Sequence, residues 1–220
     1  MIKQDDAALA AERSAYAAAM AAPRPWRLGG PLWLDTEHWL LMTVTPAYAP
    51  LFAQLHVRNG DHFGLAMTVG PHMNEAGFWE PILADQQRAN RDGTGLHLVG
   101  FHKGAARTEV GCLISFAGIV HDEFQACWLG YRMDRSLQGK GLMYGALAPA
   151  IARVFERYKL HRIMASHRPE NLRSGRLLRR LGFGIDGYAR DFIQVNGQWC
   201  DNVLTSLIAP DADARNRNGQ

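Results

Sequence analysis

The sequence predicts a mixed α/β fold of the α+β kind, with about seven strands in a mostly antiparallel sheet and about four flanking helices. Two observations carry this prediction. Apolar residues recur at helical spacing in four segments, and strand-like runs bounded by turn residues fill most of the remaining chain. A length of 220 residues suits one domain with a single substantial core.

Turn and cap residues set the expected boundaries. Asp92-Gly93 and Gly182 end helices, and Asn196-Gly197 between two strand-like runs predicts a hairpin turn. Pro149 falls inside one helix, where its missing N–H costs ~3 kcal/mol and is expected to produce a kink. The elements are expected in this order: a strand over 33–45, a helix from Pro46 to Asn59-Gly60, a helix over 74–91, strands over 96–101, 109–120 and 123–133, a helix over 141–158, a strand over 161–167, a helix over 170–181, and a hairpin of 183–195 and 198–208.

Composition indicates an ordinary soluble globular protein, since 47% of residues are hydrophobic and 20% are charged. Apolar runs are interrupted well before the ~18 residues that a membrane span needs. The first residues lack the basic start and apolar centre of a secretory signal, so we expect a cytoplasmic protein. Residues 1–32 are interpreted as an N-terminal arm, 33–209 as the folded domain, and 210–220 as a polar tail.

Cysteine and histidine spacing argues against a disulfide framework or a metal centre. Cys112, Cys127 and Cys200 are odd in number and widely separated, which predicts reduced, semi-buried thiols. His97 and His102 are five positions apart on one predicted strand and would face opposite sides of it. We therefore expect no metal.

Positive charge is concentrated in one segment. Residues 131–190 hold thirteen Lys or Arg against four acids, a balance of +9 in a chain of net charge +3, so the other residues sum to −6. Such a local field favours a polyanionic ligand, either a phosphorylated cofactor or a nucleic acid. A solvated basic face is the alternative interpretation.

A glycine-rich turn lies inside this basic segment, at Gln138-Gly139-Lys140-Gly141 between a predicted strand and a predicted helix. The helix N-terminus offers unpaired N–H groups, and glycine lets the backbone approach a pyrophosphate closely. A tight strand-to-helix connection would explain the same residues. A Walker phosphate loop is absent, and the chain lacks the early βαβ unit of a dinucleotide fold.

Three further motifs give this turn a specific context. In order and spacing, Gln138-Gly-Lys-Gly141, Asn171-Leu-Arg-Ser174 and Leu181-Gly-Phe183 resemble the GNAT family of acyl-CoA N-acetyltransferases, over about residues 33–208. One branch, the RimJ/RimL ribosomal-protein N-terminal acetyltransferases, is similar in several more segments: Gln138-Gly-Lys-Gly-Leu-Met143, His161-Arg-Ile-Met-Ala165, Arg173-Ser174, Arg180-Leu-Gly-Phe183, Gly187-Tyr-Ala189 and Gly197-Gln-Trp199.

This resemblance implies a GNAT fold and acetyl-CoA as co-substrate. The strand backbone would pair with the pantetheine arm, and the glycine turn would wrap the pyrophosphate. Ser136 departs from the Arg or Gln usual at its position, which removes one expected side-chain contact. Arg173, Arg176 and Arg180 could reach the 3′-phosphate. The implied cofactor-binding residues are Tyr131, Arg132, Met133, Gln138, Gly139, Lys140, Gly141, Leu142, Met143, Asn171 and Ser174.

The resemblance also implies two catalytic residues. Ser174 matches the position proposed to protonate coenzyme A, and Asp191 matches the carboxylate proposed as the base. Other roles stay open for both, because Ser174 could bond the preceding helical turn and Asp191 could pair with a nearby arginine. Asp122 and Glu123 are the alternative base.

The implied activity is acetylation of a primary amine by direct attack in a ternary complex. The branch resemblance favours the N-terminal α-amine of a ribosomal protein, with Ala or Ser first. Within the same chemistry, the acceptor could instead be a small amine such as an aminoacyl antibiotic or a polyamine. A non-catalytic acyl-CoA or RNA binding module is the alternative from a different class. The sequence leaves the oligomeric state open and predicts no membrane association.

Overall fold

The computed structural model describes residues 31–64, 67–104 and 109–210, which form one eight-stranded sheet in the order β1-β2-β3-β4-β5-β6-β8-β7. All neighbours are antiparallel except β5 and β6. Most of the expected arm and tail lies outside the described residues. The strands are β1 (Leu32–Asp35), β2 (Trp39–Thr43), β3 (Gly95–His102), β4 (Val110–Val120), β5 (Ala126–Met133), β6 (Arg162–His167), β7 (Gly184–Val195) and β8 (Gln198–Ile208).

In the described part of the chain, four α-helices cover the two faces of the sheet: α1 (Ala49–Phe63), α2 (Ala76–Asp92), α3 (Leu142–Tyr158) and α4 (Leu172–Arg180). The predicted mixed, mostly antiparallel fold with about four helices is confirmed. Helices α1 and α2 pack in one core cluster, which includes Phe52 and Leu83. Helices α3 and α4 pack in the other, which includes Leu147 and Leu178.

The sheet has one strand more than predicted, because the expected first strand over 33–45 is two strands. The chain reverses at Thr36, whose side-chain oxygen accepts a hydrogen bond from the backbone N–H of Trp39 (3.0 Å). The backbone N–H of Thr36 in turn donates to the carbonyl of Trp39 (2.9 Å). These local bonds make a β1–β2 hairpin that apolar content alone does not reveal.

Two predicted element ends are confirmed by backbone conformation. Gly93, with φ of 76°, ends α2 in the left-handed conformation that glycine adopts without cost. Asn196 and Gly197, with φ of 50° and 80°, make the β7–β8 turn. The helix over 141–158 is also confirmed and continues through Pro149, while the kink expected there stays a prediction.

The tip of the β7–β8 hairpin contacts the end of α1. The backbone N–H of Asn196 donates to Thr68 Oγ1 (2.9 Å), and its side-chain amide donates to the carbonyl of Gly64 (3.0 Å). The hairpin therefore reaches over the sheet face that α1 and α2 cover.

Trp39 fixes where α3 begins. Its indole N–H donates to the carbonyl of Leu142 (2.9 Å), the first residue of α3, and its side chain is fully buried. The ring lies against Gly100 and Gly111, where an added Cβ would come within 3.2 Å and 2.8 Å of it. Two glycines thus make room for the side chain that anchors α3.

Within the described ranges, no helix is long and apolar enough to cross a bilayer.

Candidate active site

The parallel pairing of β5 with β6 is short. It joins Ala126, Cys127 and Trp128 to Arg162, Ile163 and Met164, and no pairing of β6 with the rest of β5 occurs in the described part of the chain. Strand β4 follows β5 as far as Met133, so β5 itself continues. The backbone from Leu129 to Met133 therefore faces a gap where the two strands diverge, and its polar groups are available to an extended ligand.

The open end of this gap leads directly into the glycine turn. Gly139 and Gly141 have φ of 77° and 73°, and Gly141 caps α3 without a side-chain hydrogen bond. The side chains of Leu142 and Met143 are buried in the core, so their backbone N–H groups are what the helix start presents. Unpaired N–H groups at a helix N-terminus attract a phosphate.

The side chain of Gln138 connects the glycine turn to α1, β5 and α4. Its side-chain amide contacts Nε2 of His62 on α1 and donates to the carbonyl of Met133 (3.2 Å), the last residue of β5. Its side-chain oxygen accepts from Nη1 of Arg173 on α4 (3.0 Å). The side chain thus positions the turn, which leaves ligand contact to the backbone.

Asp134 holds the chain between β5 and the turn. Its carboxylate accepts from the side chains of Arg58 (3.2 Å) and Asn59 (3.0 Å) on α1. It also accepts from the backbone N–H (2.9 Å) and hydroxyl (2.7 Å) of Ser136. Burial acts to raise the pKa of Asp134, but these hydrogen bonds outweigh it and the pKa is lowered. Ser136, the departure from the family pattern, therefore has a structural partner of its own.

Ser174 meets Tyr131 at the gap. Ser174 Oγ lies 2.7 Å from the Tyr131 hydroxyl, which joins the start of α4 to the diverging part of β5. Asn171 caps α4 by accepting from the backbone N–H of Ser174 (3.1 Å), so it fixes the turn that presents the hydroxyl. Burial raises the pKa of Tyr131 to about 12, against the hydrogen bond with Ser174, which lowers it. The Tyr131 hydroxyl therefore holds its proton at neutral pH.

Asp191 lies in an irregular part of β7, where the register with β8 shifts between Ala189 and Ile193. Its φ is 49°, its backbone N–H donates to Asp201 Oδ1 (2.9 Å), and its side chain is exposed. The ring of Phe192 lies 6.3 Å from that of Trp128 on β5. Strand β7 is three positions from β5 in the sheet, roughly 14 Å if flat, so this segment bends back towards β5.

The other candidates for chemistry lie elsewhere. Asp122 and Glu123 are exposed in the turn before β5, at the end where β5 and β6 pair rather than where they diverge. Arg173, Arg176 and Arg180 share one face of α4. The guanidinium of Arg180 lies 4.1 Å from the Tyr144 ring near the start of α3, so this face adjoins the glycine turn.

A cavity of about 120 Å³ opens on the opposite face of β5, the face that α1 and α2 cover. Phe52 and Trp79 form apolar walls, and Ser115, Gly130 and Arg132 line the sheet side. An added Cβ at Gly130 would meet nothing within 4 Å, so the missing side chain leaves space here. The cavity and the Tyr131–Ser174 pair thus lie on either side of one strand.

One neutral histidine, His97, lines this cavity, and another, His56, packs against Trp79 in its wall. Burial lowers the pKa of His97 to about 4, and its Nδ1 lies 2.9 Å from Ser115 Oγ. Burial also lowers the pKa of His56 to about 4. The two cysteines near the sheet centre are unreactive for the same reason, since burial raises the pKa of Cys112 strongly and that of Cys127 to about 12. The described residues contain no group of three or more His, Cys, Asp or Glu that could hold a metal.

Comparison with known proteins identifies the family. Residues 38–184, about two thirds of the chain, match the acetyltransferase (GNAT) domain. The chain belongs to the GNAT acetyltransferase family. In this GNAT domain the glycine turn connects β5 to the start of α3, and β6, which diverges from β5, follows α3.

The relatives of this GNAT chain include ribosomal-protein acetyltransferases. It is 50% identical over 97 residues to the [ribosomal protein uS5]-alanine N-acetyltransferase of Escherichia coli (strain K12), over 44% of this chain and 50% of that enzyme. It is 27% identical over 174 residues to the putative ribosomal N-acetyltransferase YdaF of Bacillus subtilis (strain 168), over 78% of this chain and 92% of that protein. The chain thus spans half the length of the first relative.

Solved structures agree in fold. The ribosomal-protein-S5-alanine acetyltransferase of Vibrio fischeri superimposes with a TM-score of 0.76 at 28% identity, over 81% of this chain and 97% of that one. RimJ of Mycobacterium smegmatis, solved in complex with CoA-disulfide, gives 0.73 at 22% identity, over 87% and 98%. The second likeness shows the fold alone.

Sequence reasoning missed the side-chain partners of the site. Tyr131 was expected to contribute backbone groups only, and its hydroxyl contact with Ser174 joins residues 43 positions apart. Nothing local in the sequence marks that pair. On α1, Arg58 and His62 carried no motif, and Asn59 was predicted only as part of a helix stop at Asn59-Gly60. That stop was wrong, because α1 continues to Phe63.

The buried neutral histidines predict a loss of stability in acid. Because the pKa of His56 and of His97 is lower in the folded state than the ordinary 6.5, protonation opposes folding. The free energy of unfolding should fall between pH 6.5 and 4, by about 3 kcal/mol for His56 and less for the half-buried His97. Urea unfolding at stepwise pH measures this. A His56→Gln/His97→Gln variant should lose most of the slope, and a wild-type slope in that variant would contradict the assignment.

Proposed function

We propose that this chain is an acetyl-CoA-dependent N-acetyltransferase that acetylates the N-terminal α-amine of a protein, such as a ribosomal protein. The observation that carries the proposal is the gap between β5 and β6, which ends in the glycine turn and holds the Tyr131–Ser174 pair. Membership of the GNAT family and the names of the relatives support it. Ribosomal proteins are made in the cytoplasm, which we propose as the place of action.

The co-substrate would lie along the gap. The backbone from Tyr131 to Met133 would pair with its pantetheine arm, as an added strand does. The N–H groups from Gly139 to Met143 would surround the pyrophosphate, and Lys140 is exposed beside them. The arginines of α4 would neutralise the remaining phosphate. When bound, acetyl-CoA supplies the acetyl group as a thioester.

The chain's own residues would move the protons. Asp191, directly or through a water, would take a proton from the ammonium group of the acceptor, because only the free amine attacks a carbonyl carbon. The new C–N bond forms, the C–S bond breaks, and the nitrogen gives up its second proton to water, from which the Tyr131–Ser174 pair would recover the proton that it donates. The Tyr131–Ser174 pair would donate a proton to the departing thiolate sulfur. The products are the amide and coenzyme A, with one net proton released.

The acceptor would approach from the α1–α2 face. There the hairpin tip contacts the end of α1, and the neighbouring rings of Trp128 and Phe192 are exposed. Exposed aromatic side chains favour a polypeptide acceptor over a small polyamine, because they offer a large apolar contact area. They would bind the second ammonium group of a polyamine only through cation–π contact.

The proposed activity is tested by a thiol-release assay with acetyl-CoA. We expect turnover of short peptides that begin with Ala or Ser, and mass spectrometry should place one acetyl group on the α-amine. Peptides blocked at the N-terminus should be inert. Rapid turnover of an aminoacyl antibiotic or polyamine, with none of any peptide, would replace the proposed acceptor with a small amine. Coenzyme A binding with no turnover of either class would favour a non-catalytic module.

Removal of the two hydroxyls tests protonation of the leaving thiolate. Tyr131→Phe and Ser174→Ala should each lower kcat about tenfold, because the partner hydroxyl remains. The double variant should lose about 100-fold, within the range of general acid catalysis. The KM for acetyl-CoA should change much less than kcat in all three. A double variant with wild-type kcat would remove this pair from the mechanism.

Replacement of the carboxylate tests the base. Asp191→Asn should lower kcat/KM about 100-fold at pH 7, and the deficit should shrink towards pH 9. The reason is that a peptide α-amine, with a pKa of about 7.7–8.0, is then mostly free base. Glu123→Gln is the matched control and should behave as wild type. The opposite pattern would transfer the role to Glu123.

A further inference from the structure

Arg132 is placed differently from the other site residues of β5. Side chains alternate along a strand, and Cys127, Leu129 and Met133 point into the core under α3 and α4. The side chain of Arg132 therefore points to the α1–α2 face, where Arg132 lines the cavity together with Gly130 and Ser115. It is one strand position from Tyr131, roughly 3.4 Å along the chain.

The partners of the Arg132 guanidinium are all neutral. Nη1 lies 2.8 Å from Met67 Sδ and 3.4 Å from His56 Nε2, and the group lies 6.0 Å from the Phe63 ring. His56 Nδ1 is 2.8 Å from the carbonyl of Phe52, which only accepts, so His56 donates there and its Nε2 is the acceptor. Among the described residues no carboxylate lies within ion-pair distance of Arg132.

This arrangement is unusual for an arginine whose role is to stabilise the fold. A largely enclosed guanidinium without a counter-ion is costly, and burial lowers the pKa of Arg132. Arg58, on the same helix as His56, shows the ordinary alternative, since it pairs with Asp134 (3.2 Å) and lies 3.9 Å from Glu109. A guanidinium has five N–H donors, and among the described residues only Nη1 has acceptors within hydrogen-bond distance. The other donors have no acceptor among these residues and can bind a ligand.

The anion that would pair with the Arg132 guanidinium is not a phosphate of the co-substrate. The glycine turn, the start of α3 and the arginines of α4 gather the phosphate-binding groups on the other side of β5. An anion at Arg132 would enter from the α1–α2 face, where the acceptor approaches. Phe52 and Trp79 form apolar walls there, and a charged pair is stronger beside apolar walls than in bulk water.

We propose that Arg132 binds a carboxylate of the acceptor, namely the side chain of an Asp or Glu within the first few residues after the acetylated amine. The inference rests on the proposed function and narrows its substrate class to polypeptides with an acidic N-terminal segment. Arg132 is then a specificity-determining residue, with its backbone beside the co-substrate and its side chain in the acceptor site. His56, Met67 and Phe63 hold the guanidinium in place without neutralising it.

The test compares matched peptides that differ in one charge. Each begins with Ala and carries Glu, or the isosteric Gln, at position 2, 3 or 4. For at least one position the wild type should prefer Glu about 10- to 100-fold in kcat/KM, as expected for a hydrogen-bonded charge pair. Arg132→Gln should bring this Glu/Gln ratio close to one, and Arg132→Lys should keep part of it. Arg153→Gln, an exposed arginine above Trp33 on α3, is the control and should keep the full ratio.

The readout separates this inference from the proposed function. Equal turnover of Glu and Gln peptides by the wild type would overturn the inference and leave the acetyltransferase proposal standing. Turnover of no peptide would overturn both. The Glu/Gln ratio compares two peptides on the same enzyme preparation. A misfolded, inactive fraction of a variant therefore lowers both rates equally and leaves the ratio unchanged. Thermal unfolding and the Kd for coenzyme A, measured for each variant, complete the comparison: a ratio that persists in a folded Arg132→Gln variant also overturns the inference.

Discussion

The short parallel pairing of β5 with β6 is the constraint on which the site depends. Three residue pairs join the strands, and beyond Trp128 they diverge while β4 still supports β5. A strand with one satisfied edge and one open edge is rigid and still able to pair with a ligand. The same divergence separates Tyr131 from β6 and lets Ser174 of α4 approach it from the side. The divergence of β5 from β6 therefore also forms the candidate ligand site.

Helix α1 holds both sides of that feature in register. Through Asn59 and Arg58 it fixes Asp134, and through His62 it contacts Gln138 of the glycine turn. Through His56 it supports Arg132 on the other face of the strand. One helix thus fixes the proposed phosphate site and the proposed acceptor site relative to each other. A rigid relation of this kind lowers the entropic cost of bringing two reactants together.

Local chemistry explains how much the sequence predicts. Residues that strongly favour one backbone conformation predict the Asn196-Gly197 turn, the end of α2 at Gly93 and the glycine turn before α3. The structure has all three. The β1–β2 turn was missed because Thr36 and Trp39 look like strand residues until their mutual hydrogen bonds form. The Tyr131–Ser174 pair depends on tertiary packing. For Arg132 the resemblance predicted cofactor contact through the backbone, and its side chain counted as one of thirteen basic residues, since charge counting does not distinguish a paired arginine from an unpaired one. The roles of Ser174 and Asp191 stay predictions.

The burial of two cysteines affects whether a thioester bound at the candidate site could react with a thiol of the protein itself. Cys127 lies on β5, four positions from Tyr131, and Cys112 lies on the neighbouring strand β4. A thioester exchanges readily with a thiolate, so an ionised cysteine at this distance would compete with the amine. Burial keeps both protonated by raising their pKa. If the proposed activity holds, the same packed core that supports β5 would thereby protect the protein from acetylating its own cysteines.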